Sequence, residues 1–198
     1  MNSIFLQQKG KLVEQRSKFY SFVFPCDNLN EQANLIKKMH SEYPSATHIC
    51  YASAIDCGEI KYFSSDDGEP CGTAGVPILN ALKEKQLVNN IVFVVRYFGG
   101  IKLGTSGLNK AYKESAELCL YDCIPVVKKK HFSMVCSYDN FDKIKKIAFK
   151  NGDVIEDETF DKDVKFSIYV CEDEKKLYSL ASKIEDMNEY KYVGKKWK

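Results

Sequence analysis

Ile91-Val92-Phe93-Val94-Val95-Arg96-Tyr97-Phe98-Gly99-Gly100-Ile101-Lys102-Leu103-Gly104-Thr105-Ser106-Gly107 runs from five consecutive apolar residues into a segment with four glycines. An uninterrupted apolar run rich in β-branched residues is the pattern of a strand covered on both faces. After Tyr97 the glycines, the threonine and the serine end the strand. Leu108, Ala111, Tyr112, Ser115, Leu118 and Cys119 then recur at helical spacing, which predicts a helix from Leu108 to Tyr121. The unit is strand, glycine-rich loop, helix. Backbone N–H groups freed by glycine, together with the positive end of a helix, make a natural anion site. The spacing is neither that of a P-loop nor that of G-x-G-x-x-G. The alternative is a tight connection in which the glycines serve packing alone.

Upstream lies a second segment of unusual composition, Ser65-Asp66-Asp67-Gly68-Glu69-Pro70-Cys71-Gly72-Thr73-Ala74-Gly75. Three carboxylates within four residues repel one another unless a cation, an arginine or open water relieves them. Asp66, Asp67 and Glu69 are therefore candidates to meet a positive group, and Thr73 is placed to cap the helix expected from Thr73 to Lys85. Cys71 stands just before that helix, and exposure is expected to make it one of the faster thiols.

Around these two segments the elements alternate. Phe19–Phe24 reads as a strand, and Asn28 can cap a helix carrying Leu29, Ala33, Ile36 and His40. His48–Ile55 and Ile60–Phe63 read as strands joined by a hairpin turn at Cys57-Gly58-Glu59. Pro125 and Lys128-Lys129-Lys130 mark a boundary. Beyond it the expected order is strand (131–137), helix (139–150), strand (154–159), strand (164–171), helix (173–187) and a last strand near 190–193. Asn151-Gly152 is expected to end the first helix, and Asp161-Lys162-Asp163 to turn the hairpin. This βαββαβ order is that of the ferredoxin-like split unit. The fold class is thus α+β with two domains, 1–127 and 128–198.

Bulk composition narrows the function classes. The chain has 198 residues, 44% hydrophobic and 28% charged, enough for packed cores. No apolar run is long enough for a transmembrane helix, and the N-terminus lacks a signal-peptide pattern, so a cytoplasmic protein without a membrane partner is expected. Eight cysteines are spread thinly without a Cys-x-x-Cys pair, so neither a disulfide framework nor a metal site is expected. Cys119 and Cys123 read as small apolar side chains facing the core from one helix. The net charge of +2 falls short of a dedicated basic nucleic-acid binder, although lysines cluster at 128–130 and near the C-terminus.

The ordered set Asp66-Asp67-Gly68-Glu69-Pro70, Gly72-Thr73-Ala74-Gly75 with Pro77, then Arg96 to Gly104 with Gly107-Leu108 and Ala111-Tyr112, resembles the signature of the IMPACT/YigZ family. His48, Cys50 and Tyr51 resemble its histidine-containing strand. Cys71 departs from the usual serine, and Thr105-Ser106 replaces a small pair; neither change removes a charged group. The resemblance covers about residues 10–125 closely. It implies an N-terminal domain of the ribosomal-protein/elongation-factor-G domain IV type, a C-terminal domain similar to the last domain of elongation factor G, and a link to translation.

Two functions follow as expectations. The first is a non-catalytic, translation-associated module that binds RNA or the ribosome through the N-terminal glycine-rich face. Its binding residues would be Asp66, Asp67, Glu69, Thr73, Arg96, Gly99, Gly100, Lys102, Gly104, Ser106, Gly107 and Lys110, without a cofactor. The alternative is an enzyme or binder acting on a small phosphorylated ligand, with the carboxylates holding Mg²⁺. No nucleophile–base pair can be named for it. A structural role, with Asp67 or Glu69 pairing with Arg96, is compatible with the first.

Overall fold

The computed structural model describes residues 1–170 and 187–197 and divides into two compact units, Met1–Pro125 and Val126–Lys198. The fold is mixed α/β, and the described residues hold four helices.

In the first unit the apolar run forms the middle strand of five. The strands are β2 (Gln8–Glu14), β3 (Ser17–Pro25), β4 (His48–Asp56), β5 (Ile60–Ser65) and β6 (Asn90–Tyr97). They lie in the order β2-β3-β6-β4-β5, every neighbour antiparallel. Alternation then sorts the side chains. Val92 and Val94 enter a core under α2 (Gly75–Glu84) and α3 (Gly104–Glu117), with Ile78, Leu82, Leu108 and Tyr112. Ile91, Phe93 and Val95 enter the opposite core, under α1 (Leu29–Glu42), with Met39, Leu35 and Ile36. By the same parity Arg96 falls on the α2/α3 side. Both faces of β6 are therefore covered.

Several local expectations meet the structure. The Asn28 side chain accepts from the Glu31 N–H at the start of α1. Helix α3 differs: it begins at Gly104 rather than Leu108 and ends at Glu117, so Cys119 and Cys123 follow the helix instead of sharing a face of it. Strand β2 has no counterpart in the sequence reading. The chain start is also held, since β1 (Asn2–Ser3) pairs antiparallel with β7 (Ile124–Pro125). The buried Asn90 side chain accepts from the Ile4 N–H and donates to the Ile4 carbonyl, at 3.0 and 2.8 Å.

In the second unit β8 (Lys128–Cys136), α4 (Tyr138–Asn151), β9 (Val154–Phe160), β10 (Val164–Val170) and β11 (Met187–Trp197) make an antiparallel sheet of order β11-β8-β10-β9. Phe141, Ile144 and Ala148 of α4 pack on Phe166 and Ile168 of the sheet. Gly152 closes α4 in the left-handed region. Lys128-Lys129-Lys130, expected as a solvated linker, instead opens β8, and the buried Lys129 donates to the Gly152 carbonyl at 2.9 Å. The helix expected over 173–187 lies outside the described residues except for Met187, which opens β11.

Candidate functional site

The acidic segment folds its charges inward, each to a different group. Asp66 accepts from three backbone N–H groups, Gly72 at 2.8 Å, Ala74 at 3.0 Å and Gly75 at 2.8 Å. It thereby caps α2 from nine residues upstream, where the local cap position, Ala74, offers no side-chain oxygen. Burial raises the Asp66 pKa, but the Gly72, Gly75 and Ala74 donors outweigh it and hold the carboxyl below its ordinary range. Thr73 does not cap the helix, a correction to the sequence reading: its hydroxyl donates to the Pro70 carbonyl at 2.6 Å. Asp67 receives the Ile49 N–H on its carboxylate and the His48 Nδ1–H on its carbonyl.

Glu69 goes deepest. It is 8% exposed, and its Oε1 accepts from Arg96 at 2.5 Å and from the Tyr112 hydroxyl at 2.7 Å, with His48 Nε2 at 3.8 Å. Arg96 is 5% exposed and lies 5.5 Å from the ring centres of both Phe19 and Phe98, with Ser17 Oγ at 3.5 Å. Burial pushes the Tyr112 hydroxyl and the Cys50 thiol well above their ordinary values, the nearby Glu69 adding to both shifts. Glu69 and Arg96, 27 residues apart, thus join the two segments through a buried ion pair. Arg96 has no exposed guanidinium to offer a polyanion, which corrects its place among the expected surface contacts.

The glycine-rich segment faces the other way. Gly99 sits where a Cβ would come within 2.1 Å of the Arg16 backbone, so only glycine fits against the β2–β3 turn. Its N–H donates to Ser17 Oγ at 3.2 Å. Gly100 is partnered by nothing within reach of a Cβ, and Gly104 opens α3 at φ +69°. Lys102, Ser106 and Lys110 are exposed; Gly107 is half-buried beside Leu103. Lys110 has a loose, exposed contact with Glu114 at 3.8 Å, whereas Lys113 pairs with Glu84 at 2.7 Å. The first turn of α3 carries no acidic residue and no side-chain cap.

A cation cage does not assemble from these parts. Asp66, Asp67 and Glu69 are aimed at backbone N–H groups, at Arg96 and at Tyr112, and among the described residues no group of three His, Cys, Asp or Glu is placed to hold a metal. All three carboxylates thus have partners within the domain. Cys71 is exposed; Cys119 is buried, and burial first of all raises its thiol to about 12. Among the described residues no helix is long and apolar enough to cross a membrane.

Residues 15–120, the span that holds both segments, match the Impact N-terminal domain. The chain belongs to the IMPACT family. It is 33% identical to IMPACT family member YvyE of Bacillus subtilis over 172 residues, 85% of this chain and 79% of that one. It is 40% identical to IMPACT family member YigZ of Escherichia coli over 101 residues, half of each chain (50% and 49%). A crystal structure described as that of a hypothetical protein superposes with a TM-score of 0.61 at 25% identity, covering 89% of this chain and 87% of the other. Within the family match lie His48, Cys50, Glu69, Arg96 and Tyr112, the members of the buried network. Ser17, which ties Arg96 to Gly99, is the member that sequence reasoning missed; no local pattern marks it.

Proposed function

We propose that this IMPACT family protein is a non-catalytic, translation-associated module that contacts RNA or the ribosome through the glycine-rich face of its first unit. One observation carries the reading. The acidic segment is turned into the domain, while Lys102 and Lys110 remain exposed beside a helix start without a side-chain cap, so the side-chain charges left in solvent around the glycine-rich loop and the first turns of α3 are cationic. Lysine and free backbone N–H groups together hold phosphate without reading bases. The family resemblance supports the translation link and a cytoplasmic setting. It also supports an elongation-factor-G domain IV type for the first unit, and the sheet order β11-β8-β10-β9 supports a ferredoxin-like second unit.

The test is co-sedimentation with ribosomes and binding to labelled RNA at low and moderate salt. Replacing Lys102 and Lys110 together by alanine should weaken binding and lower the salt slope by up to about two, one for each lost phosphate contact. Replacing the exposed Lys143 and Lys146 of α4 should do much less. Equal losses from the two pairs would mean diffuse electrostatics and return the glycines to a packing role.

A further inference from the structure

Helix α1 covers only part of its face of the five-stranded sheet. Beyond its C-terminal end, Tyr43, the β2–β3 side of that face is open and forms a cleft of about 860 Å³. Register explains what lines it. Lys9 stands opposite Phe22, Lys11 opposite Tyr20, and Lys18 opposite Tyr97, so alternate residues of three strands bring cations and rings to one surface. Lys9, Lys11 and Lys18 are exposed, as is Arg16 on the turn, and among the described residues no carboxylate lines the cleft. The rings are arranged as a floor. Tyr20 and Tyr97 meet edge to face at 6.0 Å, Phe22 packs under Tyr43 at 5.4 Å, and Lys11 Nζ stands 5.7 Å from the centre of Tyr20. Phe98, 46% exposed, lines the rim and leads directly into Gly99, whose neighbour across the turn is Arg16. The cleft and the glycine-rich segment are therefore continuous through Phe98.

We propose that this cleft binds single-stranded nucleic acid, the bases stacking on Tyr20 and Tyr97 and the phosphates meeting Lys9, Lys11, Arg16 and Lys18. It rests on the reading of the glycine-rich face as a polyanion contact and extends it by naming the form of polyanion. Four cations without a carboxylate set the sign of the partner, and half-exposed aromatic rings set its chemistry. A duplex keeps its bases stacked on one another and offers only phosphates and groove edges. A single strand offers π-faces that rings can take. An acidic protein segment would satisfy the cations but leave the rings without stacking partners.

The experiment uses the full chain, with fluorescence anisotropy of labelled oligouridylate, an RNA duplex of equal length and polyglutamate at moderate salt. Tyr20→Leu and Tyr97→Leu keep apolar volume and remove the stacking face, and thermal melts check that each variant folds. The expected result is a preference for oligouridylate over the duplex and over polyglutamate, with each leucine variant weakening the single strand about tenfold and sparing the duplex. Lys9→Ala with Lys11→Ala, at exposed positions, should lower the salt slope for oligouridylate even if a tyrosine variant fails to fold. Oligouridylate binding that survives both leucine changes and the lysine pair, but falls with Lys102→Ala and Lys110→Ala, overturns the cleft and leaves the glycine-rich face standing. The reverse pattern keeps the cleft and overturns that face. Equal binding of polyglutamate and oligouridylate, or no binding of any probe at low salt, overturns the cleft as well.

Discussion

Two loops lead into the two helices on one side of the sheet, and they treat charge in opposite ways. In the loop before α2, every carboxylate is bonded into the domain. In the loop before α3, the nearest side-chain charges, Lys102 and Lys110, stay in solvent. The first helix start is capped by Asp66, and the second has no side-chain cap among the described residues. A charge in sequence thus acquires its role from the donors around it. The acidic loop builds the fold, and the basic loop remains available to a partner.

Substitutions can break this contrast. Glu69→Ala removes the acceptor for both Arg96 and Tyr112 and strands a buried guanidinium, so it should cost about 3–5 kcal/mol in denaturant unfolding. Gly99→Ala should cost about 1–3 kcal/mol although it lies in the outward loop, because a Cβ there meets the Arg16 backbone. A neutral Gly99→Ala would mean that the β2–β3 turn is free to move.

Asp66→Asn comes next, at about 1 kcal/mol, as for loss of a helix cap. Its signature is in the pH dependence. The Asp66 carboxyl is held below its ordinary value near 3.8, so its contribution is present above about pH 4 and is lost as pH falls through the lower folded value. Asn at 66 should remove that part of the acid sensitivity. The smallest effect belongs to Lys102→Ala, which should change stability by less than about 0.5 kcal/mol while weakening RNA binding. A large stability loss there would erase the distinction between the loops.

What the sequence allowed to be read divides along physical lines. Strand β6, the Asn28 cap and the Gly152 terminus were legible because each rests on neighbours within a few residues. The family signature was legible because it is long and ordered. Strand β2 was not: Gln8–Glu14 is an edge strand, largely exposed, and lacks an apolar alternation. The start of α3, four residues before Leu108, was not legible because Gly104, Thr105 and Gly107 have loop character. The pairing of Glu69 with Arg96 could be offered as one option, yet only parity on β6 and the approach of Tyr112 decide between Glu69 and Asp67. The cleft was invisible, since its cations and rings come from three strands and meet only through register.

The pairing of β1 with β7 has a mechanical consequence. Asn2 faces Pro125 and Ser3 faces Ile124, so the chain enters and leaves the first unit at the same end of an antiparallel pair. Tension between Met1 and Val126 therefore peels that pair apart one residue at a time instead of shearing it. Asn2 is also held by backbone bonds to Gln86 and Val88, at 2.9 and 3.0 Å, and beyond it Ile4 is held by the Asn90 side chain from the central strand. Pulled from these two points, the unit should yield in two steps, the parting of β7 from β1 and then, at higher force, rupture of the anchors at Asn2 and Ile4 and of the sheet around β6.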